Sequence, residues 1–421
     1  MTSVKSAGNE GEPRKRGALG VLFLVVFLDL LGFGILIPQL GVYAVRFEAS
    51  PFLVGMLLSV YSLMQFLFAP VLGGLSDRVG RRPVLLYSIA GSAFGYVLFG
   101  LAQSLTLLFI SRIIDGISGA NVSTAQAYVA DVTSGEQRAK GMGIIGAGFG
   151  LGFILGPAIG GYLGAQWGNA GIGFFAAGLA ALNWVLALFL LPESRSRGLA
   201  ARAPRSLRSI ANAFTLPVVG LSLLLFFAVT TAFSQMEGTF SVFLIDRYLV
   251  GGAQALGEAR PEVIREASLM SGHVFVAVGV VSALVQGGLI GRLRARFGEE
   301  NLVIAGAVLL IVGLAGVPAS PTYGWIFLPM ALLAAGSGLV QPCLSALVSI
   351  AAPADRQGEV MGAYQAMGSL GRIIGPILGG FFFGALGSAA PYLTAAAVMV
   401  VSLGLAVGLR RRVLARPRSG S

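Results

Sequence analysis

The chain has 421 residues, 56% of them apolar and only 11% charged, where a soluble domain carries about a quarter charged residues. Its formal charge of +11 comes with no basic face, aromatic stacking platform or zinc spacing, which argues against a nucleic-acid partner. One Cys (Cys343) and one His (His273) exclude a disulfide framework and any metal site built from several Cys or His, and no cofactor is expected.

Residues 1–17 form a polar, basic tail. The apolar run that follows is too long for a signal peptide and lacks a clear cleavage site, so it reads as a retained first span. Twelve runs of about 20 residues, each sufficient to cross a hydrocarbon core, are expected at 18–43, 51–76, 83–103, 105–130, 138–165, 169–191, 213–246, 267–290, 301–318, 322–351, 357–386 and 389–409. This predicts an all-α polytopic membrane protein with a six-helix bundle at 18–191, a basic linker at 192–212, a second six-helix bundle at 213–409 and a tail at 410–421. Of the 29 Lys and Arg residues, 23 fall in the two tails and the alternate loops, four on the opposite side, and two, Arg112 and Arg372, within spans. By the positive-inside rule both termini are cytoplasmic, and the basic charge is a matter of topology, with anionic lipid as a further contact.

The halves repeat each other. Met142-Gly143 and Gly156-Pro157-Ala158-Ile159-Gly160-Gly161 recur as Met361-Gly362 and Gly375-Pro376-Ile377-Leu378-Gly379-Gly380, at an offset of 219. Gly74-Leu75-Ser76-Asp77-Arg78 recurs as Gly288-Leu289-Ile290-Gly291-Arg292, so Asp77 has no counterpart in the second copy.

The turn Gly73-Gly74-Leu75-Ser76-Asp77-Arg78-Val79-Gly80-Arg81-Arg82-Pro83 between spans 2 and 3 resembles the fingerprint of the major facilitator transporters. Further stretches are similar to the proton-driven drug antiporters of that superfamily, and especially to tetracycline exporters. They are Leu28-Asp29-Leu30-Leu31-Gly32-Phe33-Gly34-Ile35-Leu36-Ile37-Pro38, Arg112-Ile113-Ile114-Asp115-Gly116-Ile117-Ser118-Gly119-Ala120, Ala127-Tyr128-Val129-Ala130-Asp131-Val132-Thr133 and the Gly-Pro element of span 5. The resemblance implies a major facilitator fold, alternating access, a small-molecule substrate, protons as the coupling ion, a monomer, and a plasma or bacterial inner membrane. It also implies gating roles for Asp77, Arg78, Arg81, Arg82 and Asp131, with Asp77 facing the start of span 11 near Gly358 to Gly362 and Arg81 or Arg82 reaching Asp131. These contacts would join the two halves when the inner side is closed.

Two departures limit the substrate. Tetracycline exporters carry an acid immediately before a Tyr in span 3, where this chain has Gly95-Tyr96, and span 9 lacks the acid expected in their second half. A metal chelate of tetracycline thereby loses two partners.

Ionisable residues inside spans cost about 2.5 to 3.5 kcal/mol each on insertion scales and are functional candidates by default. Arg112 and Asp115 lie three apart on one helix face, which suits either a site or a structural ion pair. Asp29 and Glu237 have no positive neighbour in their own helices, and desolvation favours the protonated form of such a carboxyl. They rank first as proton carriers, with Asp115 third. Ser234-Gln235-Met236-Glu237-Gly238-Thr239-Phe240 reads as a break in span 7, the alternative being a buried acid bonded to Ser or Thr. Arg372 has no obvious acid near it in sequence and is either a substrate contact or a snorkelling side chain. His273 reads as an interfacial residue.

Candidate cavity liners are Tyr61, Gln65, Phe68, Phe226, Phe227, Phe233, Tyr364 and Gln365, the alternative being packing or lipid-facing roles, with Gln126 as a hydrogen-bonding group on span 4. Substrate contacts are thus expected from Asp29, Tyr61, Gln65, Arg112, Gln126, Phe233, Glu237, Tyr364, Gln365 and Arg372. Gly148, Gly152, Gly156, Gly160 and Gly164 fall four apart, a stripe that lets helix backbones approach closely in lipid. With Pro157 as a bend, Gly152 and Gly156 are expected at either a static contact or an interface that slides during transport. No phosphate-binding glycine loop, zinc-protease helix or nucleophile elbow is present, so catalysis is not expected. The remaining alternatives are a transporter of a dedicated sugar, amino acid or lipid, and a non-transporting membrane sensor.

Overall fold

The computed structural model describes residues 12–119, 121–133, 136–194, 207–250, 260–353 and 356–415; the expected tails at 1–11 and 416–421 and most of the expected linker, 195–206, lie outside them. Among the described residues the regular structure is entirely helical. The first three spans are α1 (Glu12–Arg46), α2 (Pro51–Val79) and α3 (Arg81–Gly100). Span 4 is two pieces, α4 (Leu105–Ser118) and α5 (Asn121–Val132), parted at Gly119. Spans 5 and 6 run together as α6 (Glu136–Leu190), turned where Gly168 takes φ 65°, a left-handed conformation that favours glycine.

After the short α7 (Leu207–Phe214), span 7 is α8 (Pro217–Leu244), prolonged by a wider-wound turn at Ile245–Val250. Span 8 is α9 (Pro261–Ala283), continued through a similar segment, Leu284–Leu289, into α10 (Ile290–Phe297). Spans 9 to 12 are α11 (Glu299–Ala319), α12 (Phe327–Ala351), α13 (Gln357–Leu386) and α14 (Ala390–Leu414). Ten helices of the described residues are long and apolar enough to cross a membrane. The two expected spans missing from that number are span 4, whose pieces are each too short, and one of the pair merged in α6.

Local chemistry sets the helix starts. Ser50 and Ser104 accept the backbone N–H groups of Leu53 and Leu107 at 3.4 and 3.3 Å, and Pro51, Pro217 and Pro261 occupy first turns, where a missing N–H costs nothing. The expected break at Glu237 is absent: α8 is continuous through it. Thr239 Oγ1 closes back on Gln235 O at 3.0 Å, and Gln235 Nε2 donates to Pro391 O and Thr394 Oγ1 of α14 at 2.8 and 2.7 Å, so these polar groups find partners without unwinding the helix.

The glycine stripe has a definite partner. A Cβ on Gly152 would stand 2.9 Å from the Leu30 carbonyl carbon, and one on Gly156 2.6 Å from that of Gly34; Gly148 and Gly160 meet Val26 and Ile35 in the same way. All four lie along α1, a neighbour within the first six spans. Contact with the later spans belongs to the adjoining face, where Gly161 meets Ser268 O and Gly272 Cα at 2.9 and 3.0 Å, and Gly272 meets Pro157 O at 3.0 Å. The second copy repeats this division. Gly371, Gly375 and Gly379 abut Thr230, Thr231 and Gln235 of α8, while Pro376 and Gly380 meet Gly55 and Pro51 of α2.

On the face away from Asp77 the bundle is closed at its centre. Ser241 Oγ donates to Pro38 O at 2.6 Å, Gln39 Nε2 to Ser268 O at 3.4 Å, and Ser241 lies 3.3 Å from Ser271, all buried. On the basic face, among the described residues, α5 and α12 are not extensively packed against each other.

Candidate functional site

The break at Gly119 places Asn121 at the head of α5, where its Nδ2 donates to Asp29 Oδ1 of α1 at 2.6 Å. Asp115, one turn earlier, is held by Arg112 Nη1 at 3.0 Å and by Ser92, with side-chain exposures of 1% for Arg112 and 2% for Asp115. The guanidinium also lies over the rings of Tyr96 and Phe99, 5.8 and 5.7 Å from their centroids, an attractive arrangement for a cation in low dielectric. Arg112 and Asp115 thus form a closed ion pair in a dry setting.

The departure at Gly95 has a structural counterpart. A Cβ there would meet the Asp115 Cβ at 3.0 Å and Ser111 O at 3.1 Å, so α3 leaves room for a carboxylate supplied by α4. An acid still stands beside Tyr96, although not the one the tetracycline-exporter pattern has.

Asp29, Tyr61, Gln65, Phe233, Glu237 and Arg372 are densely surrounded by protein yet keep some accessible surface, as groups lining an interior space do. Gln65 Nε2 bonds Gly119 O at 2.7 Å and Tyr61 Oη at 3.3 Å, and the Tyr61 ring tilts against Phe33 at 5.0 Å. Tyr61 feels the charges of Asp115, Asp29, Arg112 and Arg372 together, which brings residues of spans 1, 2, 4 and 11 into one electrostatic unit. The acid near Arg372, not visible from its local sequence, is Glu237 from α8. Arg372 donates to Ser369 Oγ at 3.2 Å, and among the described residues it forms no direct ion pair.

The other expected liners differ in burial. Tyr364 is stacked on Phe226 at 3.9 Å and donates to Gln341 O at 3.2 Å, both rings buried, so this state holds them in packing between α8 and α13. Gln126 is half-buried on α5, and Phe68 and Phe227 are half-buried as well. Gln365 is exposed. His273 is exposed and lines a different cavity of about 530 Å³ with Tyr248, Glu266 and Tyr323.

On the basic face Arg81 binds Asp77 at 2.6 Å, Asp131 at 2.9 Å and Ser76 Oγ at 2.6 Å. The expected reach to Asp131 is present, but it ties α3 to α5 within the first six spans. That contact therefore does not join the two halves. Arg82 bonds the Leu188 carbonyl, and Arg78 is exposed. Glu193 was not among the expected site residues. It accepts from the backbone N–H groups of Arg81 and Arg82 at 2.9 and 3.2 Å, satisfying the head of α3 where Gly80 takes φ 112°. Its signal was a lone acid at the edge of a basic linker. Asn121 had a weaker one, an amide just beyond a Gly-Ala pair.

The family model described as Major Facilitator Superfamily matches residues 22–376 and 266–420. The chain belongs to the Major Facilitator Superfamily. It is accordingly a multi-pass membrane transporter with a small-molecule substrate and the superfamily fold. It is 35% identical over 371 residues to the class C tetracycline resistance protein of Escherichia coli, covering 87% of this chain and 89% of that protein. It is 30% identical over 427 residues to human major facilitator superfamily domain-containing protein 10, covering 91% of each. The crystal structure of the human organic anion transporter MFSD10 (TETRAN) superposes with a TM-score of 0.67 at 27% identity, over 93% of this chain and 99% of that one. A bacterial homolog of the human lysosomal transporter Spinster, in an inward-facing and occupied conformation, gives 0.75 at 14% identity over 97% of this chain and all of that one, a likeness of fold alone.

Proposed function

We propose that this superfamily member is a proton-coupled antiporter that exports amphipathic small molecules by alternating access. The observation that carries the reading is Asp29, a carboxyl bonded at 2.6 Å to the neutral amide of Asn121 between α1 and α5. An acid with a neutral partner can hold or release its proton without stranding a buried cation, and its access changes as the bundles rock. Glu237 is the second carrier, and Asp115, closed on Arg112, the third. The basic face is cytoplasmic on this reading, and the two six-span bundles at 18–191 and 213–409 move as units. The relatives named for tetracycline resistance support export.

A second reading, transport of a dedicated metabolite or organic anion, is favoured by the likeness to MFSD10 and by the cation Arg372 at the interior. Purified protein in proteoliposomes with an imposed pH gradient tests both. Uphill movement of an amphipathic compound, coupled to a measured proton flux, supports antiport; ligand binding with no proton exchange would instead indicate a sensor.

A further inference from the structure

The interior holds two arginines among the described residues, and they are in opposite conditions. Arg112 is 1% exposed, paired with Asp115 at 3.0 Å and covered by Tyr96 and Phe99. Its burial, more than the pair itself, keeps it from a ligand. Arg372 keeps accessible surface, bonds the neutral hydroxyl of Ser369 at 3.2 Å, and senses Glu237 and Tyr61 without a direct ion pair. It stands on α13 across from Tyr61 of α2, on the boundary between the first and last six spans.

A guanidinium removed from bulk water and left without a carboxylate at hydrogen-bond distance is costly, and it is the group best shaped to grip one from elsewhere. We infer that Arg372 is the anchor for an anionic group of the substrate, so that the transported class comprises amphipathic organic acids and zwitterions bearing a carboxylate, rather than simple lipophilic cations. The aromatic surfaces of Phe33, Tyr61 and Phe233 would take the apolar part. Glu237, sharing the field of Arg372, then penalises a neutral or cationic occupant less than an anion, and its protonation is what leaves Arg372 fully available. Asp29, on α1, is positioned to receive a cationic end in the zwitterionic case. This inference rests on the interior being the transport site.

The test uses the full chain in lipid nanodiscs and two fluorescent probes, dansylglycine and its methyl ester, which differ in one negative charge. The wild type is expected to bind the acid about tenfold or more tightly than the ester, the size of one charge-assisted hydrogen bond. Arg372→Gln is expected to remove that preference while leaving ester affinity unchanged, which also shows that the variant folds. Arg372→Lys should keep part of the preference. Equal affinity for acid and ester in the wild type, no measurable binding of the acid, or equal loss of both probes in Arg372→Gln overturns the assignment. The binding readout is independent of transport: an acid preference that depends on Arg372, with no pH-driven uptake of either probe, supports the anion site and sinks proton-coupled export.

Discussion

Asn121 reaches Asp29 at 2.6 Å because span 4 breaks at Gly119 and restarts with that amide facing α1. The contact joins spans 1 and 4 through a neutral donor, beside an acid–base pair, Arg112 with Asp115, that is already closed. Two carboxyls of one cluster are thereby given different tasks.

Asp29→Asn should abolish concentrative, pH-driven export while downhill exchange of substrate continues, since the amide imitates the protonated acid. Glu237→Gln should do the same to a smaller extent. Flux measured in proteoliposomes with and without a pH gradient decides it. Wild-type accumulation by both variants would leave Asp115 as the leading carrier.

Arg112 and Asp115 call for a stability measurement instead. Removing one partner of a buried pair leaves an uncompensated charge and is expected to cost about 3–5 kcal/mol. Arg112→Gln and Asp115→Asn should each lower the unfolding temperature in detergent, and the double variant should recover much of the loss. Additive losses would mean the two groups act separately.

The fold was open to reading because lipid imposes long apolar runs and basic loops, and both are one-dimensional patterns. The candidate acids were visible for the same reason: a charge in an apolar run is conspicuous. What the pattern could not supply was rotation and register between helices. The Gly148-to-Gly164 stripe announced a close approach, yet nothing in it named α1 as its partner. Arg372 had no acid within three turns of it in its own helix, and its neighbour Glu237 lies 135 positions away in sequence. The polar run around Glu237 suggested a break because sequence cannot show that Thr239 bonds back within α8 and that Gln235 reaches α14.

Glycines on the two faces of α6 should behave differently. Gly156→Leu forces a side chain into the backbone of Gly34, within a contact that travels with the first bundle, so the amount of folded protein in the membrane should fall along with transport. Gly161→Leu enters the crossing with Ser268 and Gly272, which on the proposed alternating-access cycle would change as the bundles rock. Its yield should stay near wild type while transport is lost. Fluorescence-detected size exclusion beside flux separates the two, and equal yields would show that both faces are static.

The Asp77–Arg81–Asp131 cluster gives the last prediction. Arg81 holds both acids, at 2.6 and 2.9 Å, and all three belong to the first six spans, so their mutual attraction is carried through the cycle and favours neither state. Any bias must come from a contact that exists on one side of the cycle. α2 packs against α13 at its far end, where Pro51 and Gly55 meet Gly380 and Pro376, and the first turn of α13 presents backbone N–H groups with partial positive charge. Closing the basic face would bring that turn onto Asp77, a gain of up to about 2 kcal/mol, or roughly thirtyfold in population. Asp77→Asn keeps the hydrogen-bonding shape and removes the charge. It is expected to enlarge the inward-open population and slow turnover, with binding of the dansyl probes unchanged. Spin labels near Val132 and Ala352, at the ends of α5 and α12 on the basic face, read the opening directly. Transport lost with an unchanged distance distribution would refute a gate at Asp77 and leave it as a structural partner of Arg81.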